Sequence, residues 1–119
     1  MTNRPTNDFD NYHAHVYFDA ATLDHARLIC DEAGERFGVV VGTVHERTIG
    51  PHPRWSCQLS FERTQFQGLI AWLDEARGDL SVLVHALTGN DLADHSTHAS
   101  WLGEPVELKM SVFETKDDA

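Results

Sequence analysis

Strand-like alternation of apolar and polar side chains is strongest in residues 12–18 (YHAHVYF). Because successive side chains of a strand point to opposite faces, His13, His15 and Tyr17 are predicted to share one face. We expect the opposite, apolar face to enter the core, which leaves two imidazoles side by side on the other face. The residues of the apolar face are Tyr12, Ala14, Val16 and Phe18.

Two other segments repeat their apolar residues every three or four positions, as an amphipathic helix does. The first is predicted to run from a Thr22 cap to a stop at Gly38, and the second to open at a capping box in residues 64–67. The remaining strands are predicted from period-two alternation and from β-branched residues. They cover residues 39–45, 54–61, 80–85 and 106–113.

The resulting order, β-α-β-β-α-β with a C-terminal extension that adds a strand, is typical of a ferredoxin-like α+β fold. That fold has an antiparallel sheet of order 4-1-3-2 with both helices on one face. The first and fourth strands are then neighbours, and alternation in residues 80–85 places His85 on the open face beside His13 and His15. We expect the C-terminal segment or a second subunit to cover this face.

The domain organisation is predicted to be simple, because 119 residues are enough for one core. Residues 11–113 would form a single domain, after a flexible segment of residues 1–10 and before a frayed tail of residues 114–119.

Charge and composition exclude several classes of protein. The formal net charge is −10 and the nine basic residues are scattered, which argues against nucleic acid or an anionic membrane as partner. No apolar run approaches the roughly 20 residues of a membrane span, and the N-terminus lacks an apolar signal core, so we expect a cytoplasmic protein. Cys30 and Cys57 lack CxxC spacing and are predicted to be buried thiols.

The candidate chemistry is that of histidine, of which the chain has eight. Convergence of His13, His15 and His85 favours a metal or acid/base site over the alternative that polar residues simply occupy an exposed sheet face. Neutral imidazole suits iron, zinc, copper and nickel, and two histidines with a carboxylate are typical of non-haem Fe(II) oxygenases. Spacing does not single out the carboxylate, and the candidates are Asp79, Asp94 and Glu107.

Four blocks of sequence, in this order, carry a family resemblance: residues 12–18 (YHAHVYF), 50–55 (GPHPRW), 77–85 (RGDLSVLVH) and 94–103 (DHSTHASWLG). Together they resemble the DOPA 4,5-dioxygenase family over about residues 11–113. The resemblance implies a ferredoxin-like fold, commonly dimeric, that cleaves a catechol ring with O₂ at a non-haem iron by the extradiol route. Ala86 departs from the family pattern, in which a proline usually follows the strand-end histidine.

The resemblance also suggests roles for individual residues. Fe(II), or zinc or another divalent ion in a purified sample, would be held by His13, His15 and His85, or with Glu107 in place of one of them. The catalytic acid/base would come from the histidines of the second and fourth blocks, which are His52, His95 and His98.

A catechol substrate such as L-DOPA would need contacts with its ring and with its carboxylate. Tyr17 and Trp101 are predicted to line the ring, although aromatic residues in strands are more often part of the core. Arg47, beside the GPHP loop, could orient a carboxylate, although a solvated arginine is the ordinary alternative.

Two other functions stay open at this point. In one, the same histidines hold zinc or copper, or a small molecule, in a homodimer without catalysis. In the other, the chain is a metal-free module whose open sheet face is a dimer interface.

Overall fold

The computed structural model describes residues 4–114, which form an α+β arrangement of a five-stranded antiparallel sheet and four helices. The strands are β1 (Asn11–Phe18), β2 (Val40–His45), β3 (Trp55–Glu62), β4 (Val82–Ala86) and β5 (Ala99–Leu102). The helices are α1 (Leu23–Phe37), α2 (Arg63–Ala76), α3 (Asp91–Asp94) and α4 (Ser111–Glu114).

The sheet has the order β2-β3-β1-β4-β5, and every neighbouring pair is antiparallel. The α+β class and the predicted pairing of the first strand with the fourth are therefore confirmed. The expected order 4-1-3-2 is not confirmed: the extra strand, β5, lies earlier in the chain than predicted and pairs with the outer edge of β4.

The two faces of β1 separate as the alternation predicted. The four apolar residues of β1 are buried in one cluster with the inward faces of α1 and α2, where the main core lies. On the opposite face, Tyr17 belongs to a second, smaller cluster with Leu83 and Trp101. A slip of one residue would exchange the two sets, so burial of the apolar set fixes the register.

The long helices end and begin near the predicted residues. Gly38 follows α1 in a left-handed conformation with φ of 69°, as expected of a glycine that stops a helix. The capping box predicted in residues 64–67 is wrong: Glu62 and Gln65 form the box, and the backbone N–H of Glu62 donates to the side chain of Gln65 at 2.8 Å. The helix begins earlier because the amide of Gln65 satisfies this N–H directly.

The predicted last strand, residues 106–113, is wrong. Within the described part of the chain, β5 is the strand that follows β4, and the residues between β5 and α4 join no ladder. Val106 and Leu108 instead pack against the small cluster of Tyr17, Leu83 and Trp101, and the N–H of Lys109 donates to the carbonyl of Pro51 at 2.8 Å. Residues 104–113, the covering segment, thus lie over the face of the sheet that the long helices leave open.

Two other predictions concern the cysteines and the ends of the chain. Cys30 and Cys57 are free and buried, as predicted. At the N-terminal end, Arg4 forms an ion pair with Asp74 at 2.8 Å. The predicted frayed tail lies outside the described residues, apart from residue 114. None of the helices within residues 4–114 has both the length and the apolar character needed to cross a membrane.

Candidate metal centre

Strands β1 and β4 carry three of the histidines. His13 lies directly opposite His85 in the ladder, and His15 follows on the same face of β1. His15 and His85 are only 5% and 2% exposed, whereas His13 is half-buried. The three side chains that the sequence predicted to converge are therefore brought together.

The imidazoles of His15 and His85 face each other, with their Nε2 atoms 3.0 Å apart and their ring planes 14° from parallel. The Nδ1 atom of His85 lies 2.9 Å from the carbonyl oxygen of Ala86. Because a carbonyl only accepts, Nδ1 of His85 carries the proton and its Nε2 offers a lone pair. In the absence of a metal ion, Nε2–H of His15 donates to that lone pair.

Two loop histidines join these rings, one beside His15 and the other beside His85. His52 precedes β3 and its ring centroid lies 4.1 Å from that of His15. His95 follows α3 and its ring centroid lies 4.1 Å from that of His85. The Nδ1–H of His95 donates to the carbonyl of Asp91 at 2.8 Å, so the Nε2 atom of His95 also offers a lone pair.

Within residues 4–114, two groups of three residues have potential ligand atoms that all lie within 4.8 Å of one another. Two nitrogens bound to one ion at about 2.1 Å stand about 3.0–3.4 Å apart, so the 3.0 Å separation of His15 and His85 suits a shared metal ion. Neither group includes a carboxylate. The groups share His15 and are His13, His15 and His85, and His15, His52 and His95.

Burial sets the charge of this cluster. Removal from water, together with the smaller effect of neighbouring imidazoles, lowers the pKa of His52 and of His85 to about 4. The same two causes hold the pKa of His15 well below 6.5, and burial also lowers the pKa of His13. These rings are therefore neutral at pH 7, which is the form that binds a metal ion.

Tyr17 supports the cluster from the sheet. Its hydroxyl lies 2.7 Å from Nδ1 of His52, and its ring packs edge-on against Trp101 with centroids 5.8 Å apart. Burial raises the pKa of Tyr17, so the side chain stays a phenol. Sequence reasoning placed Tyr17 on the histidine face but missed its contact with His52, because a loop conformation creates that contact.

The family model for the Dopa 4,5-dioxygenase family matches residues 12–112, which include all six of the histidines singled out from the sequence. The chain belongs to the Dopa 4,5-dioxygenase family. One curated relative is a DOPA 4,5-dioxygenase of Amanita muscaria. It is 29% identical to this chain over 93% of the chain and 53% of the relative. An uncharacterized 21.2 kDa protein of Botryotinia fuckeliana is 37% identical over 56% of the chain and 41% of the relative. The chain thus spans about half the length, or less, of these relatives.

A solved structure is similar over nearly its whole length. It is the crystal structure of a candidate dioxygenase from Nostoc punctiforme PCC 73102, with a TM-score of 0.88 and 36% identity over 96% of this chain and 99% of that one. The arrangement of strands and helices described above is therefore shared with this solved structure over nearly the full length of both chains.

Other residues that the Dopa 4,5-dioxygenase family resemblance singled out lie apart from the cluster. The Nδ1 of His98 lies 3.2 Å from the carboxylate of Asp94, and its ring packs against Phe9 at 4.7 Å. Asp94 is itself 2% exposed and accepts hydrogen bonds from the N–H and hydroxyl of Thr88. Burial alone would raise the pKa of Asp94, but hydrogen bonds from Thr88 and His98 hold it below its usual value.

The remaining predicted residues lie at or beyond the edge of the site. Trp101 and Glu107 line a cleft of about 440 Å³ that also reaches His95, and we call this space the Trp101 cleft. Glu107 is exposed there and belongs to neither metal-binding group. Arg47 is exposed in the loop after β2, whereas Arg54 lines a larger cleft of about 650 Å³ that Tyr17 also borders.

Proposed function

We propose that this chain is a non-haem Fe(II) dioxygenase that opens the ring of a catechol, such as L-DOPA, with O₂ by extradiol cleavage. The observation that carries the proposal is the His15–His85 pair, whose Nε2 atoms lie 3.0 Å apart in a buried, neutral cluster of imidazoles. Membership of the Dopa 4,5-dioxygenase family supports the reaction class.

The iron would be held by His13, His15 and His85. The backbone carbonyl of Ala86 fixes the tautomer of His85, which is a common arrangement behind a metal-binding histidine. Bound there, Fe(II) would supply a centre that takes both catechol oxygens and O₂ and stabilises the charge that develops.

The chain itself would exclude water and position the substrate. The covering segment packs Val106 and Leu108 onto the sheet, and Phe113 lies 4.9 Å from the ring of His95. The Trp101 cleft reaches His95 and is lined by apolar side chains next to Glu107. We assign the catechol ring to this cleft with Trp101 as its wall.

Proton transfer would fall to His52 or His95. Their ring centroids lie 4.1 Å from those of His15 and His85 respectively, which places both beside the proposed iron ligands. Whichever of the two offers a free lone pair could take a proton from a catechol hydroxyl and, as the imidazolium, return it to the opened product. His98 contacts Asp94 and Phe9 instead, so the proposal does not give it this role.

One observation favours a second function, in which the cluster holds zinc in a homodimer without catalysis. His15 and His85 are almost fully buried, and structural zinc sites are closed in this way. This function predicts a tightly bound, redox-inert ion and no consumption of O₂.

The two functions separate in one experiment. Protein purified without a metal-affinity resin is stripped, reconstituted anaerobically with Fe(II) or Zn(II), and then given L-DOPA and air. We expect O₂ uptake and a coloured ring-opened product with Fe(II) only. The His85→Ala variant should lose this activity, and His25→Gln, a change on α1 far from the site, should retain it. No product from any of a panel of catechols would refute the dioxygenase proposal.

A further inference from the structure

The hydrogen-bond partners of the Nδ1 atoms divide the clustered histidines into two kinds. His85 and His95 each direct Nδ1 at a backbone carbonyl, which can only accept, so both rings offer a lone pair at Nε2. His52 directs Nδ1 at the hydroxyl of Tyr17, which can donate. This difference assigns His52 a different task from its neighbours.

We propose that Tyr17 is a positioning residue that donates its hydroxyl proton to Nδ1 of His52 and so holds His52 as the Nε2–H tautomer. His52 then presents the N–H group of Nε2, a hydrogen-bond donor, and not a lone pair to the cluster. The assignment of a catalytic task to this donor rests on the proposed function, but the tautomer itself does not.

The direction of the hydrogen bond follows because, among the described residues, the buried hydroxyl of Tyr17 has no other acceptor. Tyr17 and His52 are 1% and 6% exposed, and their O···N distance is 2.7 Å. Within residues 4–114, the hydroxyl of Tyr17 has one hydrogen-bond partner, which is Nδ1 of His52. If Nδ1–H of His52 donated instead, the phenolic O–H would be buried without an acceptor, which is costly.

The tautomer of His52 follows from this direction. The neutral imidazole, buried beside His15, carries one N–H. With Nδ1 accepting from Tyr17, that N–H is at Nε2.

This tautomer distinguishes the two overlapping groups of potential ligands. A ligand nitrogen must offer a lone pair, and His52 offers none at Nε2 while Tyr17 donates to its Nδ1. Within residues 4–114, no hydrogen bond at Nδ1 of His15 opposes a shift of its proton from Nε2 to Nδ1 when an ion binds. The group of His13, His15 and His85 is then the metal-binding one. His52, whose ring centroid lies 4.1 Å from that of His15, stands beside it as a hydrogen-bond donor that keeps its proton and stabilises negative charge on the substrate oxygen during ring opening.

The tautomer can be observed directly by NMR. In ¹⁵N-labelled, zinc-loaded or metal-free protein, long-range ¹H–¹⁵N correlation spectra distinguish a ring nitrogen that carries a proton from one that does not, and His52→Gln assigns the signals. We expect Nδ1 of His52 to be the nitrogen without a proton. In Tyr17→Phe, this signal should move as its hydrogen bond is lost. Tyr12→Phe is the matched control, since it removes the other tyrosine hydroxyl, on the opposite face of β1, and should leave His52 unchanged.

Activity supplies the second readout. If the Fe(II)-loaded protein opens a catechol, Tyr17→Phe should lower kcat at least about tenfold with little change in KM or iron content, while Tyr12→Phe should not. A proton found on Nδ1 of His52 in the unmodified protein overturns the proposal whatever the activity, and so does an unchanged kcat in Tyr17→Phe. An Nε2–H tautomer in a protein that opens no catechol would uphold the Tyr17–His52 relationship and refute the proposed function alone.

Discussion

The imidazoles of His15 and His85 meet diagonally across two neighbouring strands. His85 lies opposite His13 in the β1–β4 ladder, yet its Nε2 atom is 3.0 Å from that of His15. Long and aromatic side chains can reach such diagonal neighbours. The contact leaves His13, which is half-buried, at the more open side of the same three rings.

Removal of one ring from this group should weaken metal binding. We expect His85→Ala to lower the affinity for Zn(II) at least about tenfold, because it removes a nitrogen held in place by the carbonyl of Ala86. A chelator-competition titration measures this, with circular dichroism to verify the fold. The matched variant His98→Ala should keep wild-type affinity, because His98 contacts Asp94 and Phe9. Equal loss in both variants would contradict the grouping.

The metal-free protein should lose stability in mild acid. The pKa of His52 and of His85 falls from 6.5 to about 4 on folding, so the unfolded chain binds protons in this range and the folded chain does not. Stability is then full above pH 6.5 and falls as the pH drops toward 4, by about 3 kcal/mol for each of these two groups. Urea unfolding between pH 8 and pH 4.5 tests this.

A control for the pH effect is available in the chain. His52→Gln removes one of the two groups and should flatten the dependence of unfolding free energy on pH, whereas His25→Gln should not. A free energy of unfolding that stays constant from pH 7 to pH 5 would show that the rings are not held neutral by burial.

The covering segment should control how easily the bound metal is lost. Phe113 is 9% exposed and packs against the ring of His95, so Phe113→Ala should destabilise the segment by about 2–4 kcal/mol. We expect faster extraction of the metal ion by a chelator, followed by stopped-flow absorbance. Leu92→Ala, at a leucine that is 47% exposed, is the comparison and should leave the rate unchanged. Equal extraction rates would mean that the segment is no barrier.

We expect Asp94 to stabilise the loop that carries His95 and not to take part in the reaction. Its carboxylate accepts from Thr88 twice and lies 3.2 Å from His98, which fixes the loop that carries His95. Asp94→Leu should cost about 1–3 kcal/mol, since it removes the charged acceptor of two hydrogen bonds from Thr88. Thermal unfolding measures the loss, and Asp94→Asn, which retains an oxygen, should recover part of it. Full wild-type stability in Asp94→Leu would contradict this account.

The sequence was sufficient to predict the core of the candidate site. Alternation in residues 12–18 has a period of two, and burial of Tyr12, Ala14, Val16 and Phe18 in the core leaves His13 and His15 only the other face. A strand pattern with one apolar face determines both faces at once. The convergence of His85 followed from the adjacency of the first and fourth strands.

Part of the covering segment was wrongly predicted to be a strand because of its alternating side chains. Residues 106–109 alternate apolar and charged side chains as a strand does, but an extended chain that lies across a surface needs the same alternation. Val106 and Leu108 pack onto the small apolar cluster while Glu107 and Lys109 are exposed. The alternation of apolar residues indicates which side chains are buried, but it does not indicate whether the backbone pairs with another strand.

Contacts made by backbone carbonyls could not be predicted from the sequence. The carbonyls of Ala86 and Asp91 fix the tautomers of His85 and His95, and every residue type has a carbonyl. The placement of His52 beside His15 depends in part on a hydrogen bond between Pro51 and Lys109, which are distant in sequence. Such choices depend on the folded chain as a whole.

The position of the covering segment has a practical consequence for anyone who purifies this protein. Phe113 touches the ring of His95, so a polyhistidine segment placed directly after the covering segment would be tethered close to the native imidazoles and would compete with them for added metal. The opposite terminus is safer, because Arg4 and Asn7 bind to α2, on the far side of the sheet. A cleavable tag at that end would keep metal titrations interpretable.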